Sequence, residues 1–90
     1  MHTYIITYDS GGIEEDYSGL VIQLCEFLAP CRRILDSVWL VQSNHTAEEI
    51  LRMLRPHMPP KRGLLITRLA EDTAWTGFGR SETKFMREVL

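Results

Sequence analysis

Asp9 is the residue most readily given a chemical task. It closes the run Thr3-Tyr4-Ile5-Ile6-Thr7-Tyr8-Asp9, which is rich in β-branched and aromatic residues, and it precedes the turn formers Ser10-Gly11-Gly12. A carboxylate at a strand end, ahead of a flexible turn and a helix, is placed to hold a metal ion or a substrate. Asp also opens turns for conformational reasons alone, and both roles stand. Other reactive groups are thinner. His2, His45 and His57 lie in three segments without metal-ligand spacing, and no Ser–His or Cys–His pair can be argued from nearness in sequence. Gly11-Gly12 lacks the Lys and Ser/Thr of a phosphate-binding loop. Cys25 and Cys31 have neither the spacing of a redox pair nor enough partners for zinc, and read as buried, reduced packing residues.

A chain of 90 residues with 44% hydrophobic and 24% charged content fits one small domain whose core is adequate, and which dimerisation would help. No apolar run approaches the ~20 residues of a membrane span, and no basic-then-apolar leader opens the sequence, so the expectation is a cytoplasmic protein. The net charge of −2 conceals an asymmetry. Asp9, Glu14, Glu15, Asp16 and Glu26 meet no Lys or Arg before residue 31, whereas the stretch from 31 to 68 is basic. If Arg32, Arg33, Lys61, Arg62 and Arg68 share one edge, a locally positive surface exists; the alternative is scattered, solvated charge.

The elements that must position these groups follow in order. The opening run reads as a central strand. Tyr17, Leu20, Val21, Leu24, Cys25, Phe27 and Leu28 recur at helical spacing, with Glu14, Glu15 and Asp16 about the first turn and Pro30 as the stop. Arg32–Leu35 and Ser37–Gln42 are extended runs around Asp36-Ser37, read as a bent pair with a tight hairpin as the alternative. Thr46 and Glu49 have capping-box spacing, so a helix starts at Ala47, with Ile50, Leu51 and Leu54 on its apolar side and Pro56 beyond. Gly63 leads into the strand Leu64–Leu69. Strand-helix-strand-strand-helix-strand is the split βαβ order of an α+β, ferredoxin-like sandwich, and right-handed crossovers put both helices on one face of the sheet.

Apolar residues occupy both parities of every strand, so the second sheet face needs a cover, either a partner subunit or the C-terminal segment. That segment holds Trp75 and Phe78 among glycines and small residues. A short helix capped by Ser81 follows, bearing Phe85, Met86, Val89 and Leu90. Trp75 and Phe78 read as anchors, on the sheet or across a dimer, with a base-stacking platform as the alternative. Residues 1–72 are thus expected to form the sandwich and residues 73–90 an aromatic loop and short helix of the same domain.

Several stretches together resemble a group of small bacterial proteins labelled SinR-like: the opening strand ending Tyr8-Asp9, Leu35-Asp36-Ser37-Val38-Trp39-Leu40-Val41, Thr46-Ala47-Glu48-Glu49-Ile50, Leu64–Leu69, and Ala74-Trp75-Thr76-Gly77-Phe78. No helix-turn-helix is implied, because nothing reads as two consecutive helices joined by a short turn. More distantly, the Tyr-Asp strand end and the Ser-Val-aromatic strand resemble the small CRISPR-associated adaptation subunit and virulence-associated protein D. Those families are ferredoxin-like dimers, some of them metal-dependent nucleases whose strand-end Asp residues face each other across the two-fold. The resemblance implies Asp9 as catalytic and metal-binding residue, with Mg²⁺ or Mn²⁺ as the ion if the protein is a nuclease and no cofactor otherwise.

Two functions follow as expectations. One is a homodimeric, nucleic-acid-related domain in which Asp9 binds the metal and Arg32, Arg33 and Ser37 position phosphates, with binding favoured over turnover because one carboxylate per subunit is a thin site for phosphodiester hydrolysis. The family resemblance favours it, whereas the acidic net charge and a first helix without basic residues favour the second function. The other is a non-catalytic module that binds a protein partner through the sheet face, Trp39, Trp75 and Phe78.

Overall fold

β1 (His2–Tyr8) is paired on both sides, as its run of β-branched and aromatic residues favours. It lies antiparallel to β3 (Val38–Ser43), with Tyr4 opposite Val41 and Ile6 opposite Trp39, and antiparallel to β4 (Leu64–Arg68), with Ile6 opposite Ile66. β2 (Cys31–Leu35) pairs with β3, giving the order β2-β3-β1-β4 in an antiparallel sheet. The computed structural model describes residues 1–9, 17–28 and 30–90. Within them the architecture is α+β: this four-stranded sheet with α1 (Ser18–Phe27), α2 (Ala47–Leu54) and α3 (Arg80–Val89). The glycine turn at Ser10-Gly11-Gly12 and the acidic residues Glu14, Glu15 and Asp16 lie outside the described residues.

β2 and β3 are two hydrogen-bonded strands joined by a turn at Asp36 and Ser37, so the hairpin alternative describes them. A register irregularity between Arg33 and Leu35 supplies the bend. α1 lies between β1 and β2 in the chain, and α2 between β3 and β4. Each time the two strands run parallel with one strand between them.

The alternation of side chains along the strands divides the core in two. Tyr4, Ile6, Tyr8, Trp39 and Val41 face α1 and α2, where they enclose Leu20, Leu24, Leu28, Ile50 and Leu54. Complete burial of each such aliphatic side chain contributes about 1.5–3 kcal/mol. Phe27, expected on the buried stripe of α1, is 57% exposed. α1 is apolar nearly all round, so periodicity alone does not choose its inner side, and the four-residue step from Leu20 to Leu24 to Leu28 does. α2 is better specified. Glu49 N–H donates to Thr46 Oγ1 at 3.1 Å and Thr46 N–H donates to Glu49 Oε1 at 3.0 Å, the reciprocal cap that the spacing implies.

The C-terminal segment packs on the opposite sheet face and leaves Leu65 of β4 59% exposed there. Leu40, Met86 and Val89 are buried there, and Ile5, Ile34, Leu69, Trp75, Phe78 and Phe85 pack around them. α3 begins at Arg80 with Gly79 as its N-cap, and Ser81 is already inside the helix. Its last turn is tied to the sheet: Thr3 Oγ1 donates to the Val89 carbonyl, and Gln42 Nε2 donates to the same oxygen at 3.4 Å. Terminal helix carbonyls have no partner within the helix, so these side chains satisfy one from outside. The radius of gyration, 12.9 Å, is close to the ~12 Å of a compact chain of this length, as a folded-back tail requires.

Candidate functional site

Asp9 sits at the end of the central strand, where β4 begins. Its N–H donates to the Gly63 carbonyl at 3.0 Å, which continues the β1–β4 ladder by one bond. Its carboxylate is 58% exposed and lies 3.7 Å from the Arg62 guanidinium. The Tyr17 hydroxyl donates to the Asp9 carbonyl, and the Tyr17 ring stacks on Tyr8 with centroids 4.8 Å apart. Tyr8 is 8% exposed and accepts a hydrogen bond from Trp39 Nε1 at 3.3 Å. The strand end is therefore held by an aromatic column reaching into the core. Thr7, Tyr8, Asp9, Gly63, Leu64 and Leu65 line an open depression of about 410 Å³ beside it.

Arg62 is the site residue that sequence reasoning did not assign. The antiparallel register of β1 and β4 brings it there, and that pairing is invisible at a separation of 53 positions. An exposed Asp–Arg pair of this kind contributes at most about 1 kcal/mol and exchanges readily with other ions. Its chemistry is that of a phosphate ligand beside a carboxylate. Among the described residues no three His, Cys, Asp or Glu side chains come together. One carboxylate supplies at most two of the roughly six oxygens that Mg²⁺ requires, and Arg62 sets a positive charge against it. Among the described residues, the donors of one subunit at Asp9 do not by themselves complete a divalent-ion site.

The expected phosphate-binding set is not brought together. Ser37 lies at the same sheet end as Asp9, its carbonyl accepting from Tyr8 N–H at 3.3 Å. Arg32 and Arg33 are consecutive strand residues, so their side chains leave opposite faces. Arg32 turns to α3, where it donates to Ser81 Oγ and lies 3.5 Å from Glu82. Arg33 pairs in register with Trp39 and is exposed. Nor do the basic residues share an edge, because Arg32 and Arg33 belong to β2 and Arg68 to β4, the two outer strands.

Trp39, expected on an interface, is 6% exposed within the core under the helices. Both parities of β3 are apolar, and the sequence offers no means of telling which one the helices cover. Trp75 and Phe78 are half-buried, with Ala74 and Thr76 lining an open depression of about 550 Å³ beside them. Between them Gly77, at φ 82°, takes a backbone conformation that favours glycine. The cysteines also differ from expectation. Cys25 is exposed, and its thiol lies beside that of Cys31, six positions on. Burial, with the Cys25 thiol next to it, pushes Cys31 up to about 11. His45 is exposed, with Nδ1 3.4 Å from Glu49 Oε2. The N–H of Thr46, with His45 beside it, holds the Glu49 carboxyl below the usual range. His57 packs over Gly19, whose missing side chain makes room for the ring. No helix among the described residues is long and apolar enough to cross a membrane. No family model, curated protein or solved structure matches the chain.

Proposed function

We propose that the chain is a small homodimeric domain of ferredoxin-like arrangement that binds nucleic acid, with binding favoured over turnover. The strand order β2-β3-β1-β4 and the two split βαβ connections support the arrangement. The observation that carries the function is Asp9, exposed at the open end of the central strand with Arg62 3.7 Å away. A phosphate reaching this depression meets the Arg62 guanidinium beside a solvent-exposed carboxylate and can compete with that carboxylate for it. The resemblance to adaptation subunits and virulence-associated protein D supplies the dimer and the nuclease alternative. Two Asp9 carboxylates brought together across a two-fold would repel unless a cation or a proton were shared, so Mg²⁺ or Mn²⁺ belongs to the dimer in this reading.

The test is binding and cleavage of labelled single- and double-stranded DNA and RNA with Mg²⁺ or Mn²⁺, comparing wild type with Asp9→Ala. Binding without cutting is the expected result for wild type. Metal-dependent cutting that Asp9→Ala abolishes in a folded dimer makes the protein a nuclease. Neither binding nor cutting overturns the reading. The second reading, a protein-binding module, is favoured by the partly exposed Trp75 and Phe78 and by Leu65, 59% exposed on the sheet face, whereas Trp39 is in the core.

A further inference from the structure

α3 carries a feature that the strand-end site does not use. Arg80, Lys84 and Arg87 recur at four- and three-residue steps, which sets three cations along one side of the helix. All three are exposed, and none has an ion-pair partner among the described residues. With Phe78, Thr83 and Glu88 they line a groove of about 460 Å³. Among the described residues Glu88 is the one acid lining it. Glu82, the other acid of the helix, is turned to Arg32 at 3.5 Å. Two net positive charges therefore stand in a groove of a chain whose total is −2.

At one end of the groove is an aromatic shelf. Phe78 borders both this groove and the depression lined by Ala74, Trp75 and Thr76. Phe78 and Trp75 pack against the Leu40, Met86 and Val89 cluster and remain half-exposed, so their rings are held from beneath and open above. Cations in a row beside fixed ring faces are the two components of a single-stranded nucleic-acid site. The groove neutralises the backbone, and unpaired bases stack without regard to sequence.

We propose that the groove between Phe78 and the Arg80, Lys84 and Arg87 side of α3 binds single-stranded nucleic acid, phosphates on the cations and a base on the Phe78–Trp75 shelf. The choice of ligand class rests on the nucleic-acid reading above, but the groove shares no residue with the Asp9 depression and needs no metal. An acidic peptide would use the cations and leave the ring faces idle. A duplex offers no unpaired base to the shelf.

The experiment is fluorescence anisotropy of short labelled oligo-dT and oligo-U in EDTA across a salt series. Three phosphate contacts at about 0.7 each predict a log–log salt slope of about −2. Arg80→Gln/Lys84→Gln/Arg87→Gln, all at exposed positions, should weaken binding by roughly tenfold or more at low salt and flatten the slope. Phe78→Leu keeps the apolar packing and removes the ring, so affinity should fall with the slope unchanged. Arg52→Gln, an exposed cation on α2 that lines neither depression, should bind as wild type. The proposal is overturned if the triple variant binds like wild type, if nothing binds at the lowest salt, or if a duplex or a polyglutamate peptide outcompetes the oligonucleotide. Loss of binding in Asp9→Ala but not in the triple variant would assign nucleic acid to the strand end and also overturn it.

Discussion

Met86→Ala should lower the melting temperature by about 10–15 °C. Met86 is 3% exposed and lies over Leu40, which is fully buried on the sheet face away from α1 and α2. Truncating a buried methionine costs about 2–5 kcal/mol, partly as lost transfer energy and partly as the cavity left behind. The lower half of that range applies, about 2–3 kcal/mol, because most of the neighbours around Met86 are only partly buried and can settle into the void. At about 2.1 cal/mol/K per residue, 90 residues give an unfolding entropy near 0.19 kcal/mol/K, so each kcal/mol is worth about 5 °C. Arg87→Ala, exposed on the same helix, should stay within about 0.5 kcal/mol and 3 °C. Thermal melts followed by far-UV circular dichroism at two protein concentrations give the answer. A Met86→Ala midpoint within 3 °C of wild type would refute the packing of α3 on Leu40. A wild-type midpoint that climbs with concentration while Met86→Ala stays neutral would assign the cover of that face to a second subunit.

Two further outcomes follow from local chemistry. Thr46→Ala removes the hydroxyl of the capping box and should cost about 1 kcal/mol, or about 5 °C, with Thr46→Ser recovering most of it; an unchanged midpoint in Thr46→Ala would mean that the cap contributes nothing. Cys31, raised from 9.0 to about 11 by burial and by Cys25, should remain a thiol through pH 9. Its neutral form is the one the fold favours, so that contribution is present below about pH 9 and lost as pH climbs through about 11. Brief iodoacetamide treatment at pH 8 with peptide mapping should modify exposed Cys25 well before Cys31, and equal labelling of the two would sink the assignment.

Local signals made much of the fold legible. The β1 residues announce a strand, Thr46 and Glu49 announce a cap, and the double parity of apolar residues announces a sheet covered on both faces. What stayed hidden depends on register and face. Nothing in β3 alone says that Trp39 rather than Leu40 meets the helices, and an all-round apolar α1 conceals that Leu20, Leu24 and Leu28 point inward while Phe27 does not. The candidate site suffers the same blindness. Arg32 and Arg33 look like a pair in sequence, yet the strand sends them apart, whereas Arg62 looks unconnected to Asp9 until β4 is laid beside β1. Cys25 and Cys31 meet because α1 and the start of β2 converge. Arg80, Lys84 and Arg87 were visible as charges, and became a groove only with Phe78 folded beside them.

The bond from Thr3 to the Val89 carbonyl joins positions 86 apart and bears on how the protein is made. During synthesis β1 emerges well before β3 and β4, the two strands that flank it. The last turn of α3 waits for a hydroxyl that left the ribosome long before it. Until residue 68 is available β1 has one open edge, and until residue 89 is available Leu40 has no roof. The face around Leu40 is therefore completed only once α3 docks on it. A chain that stops short of α3 should show a bare apolar sheet face, a substrate for chaperones rather than a nearly finished protein.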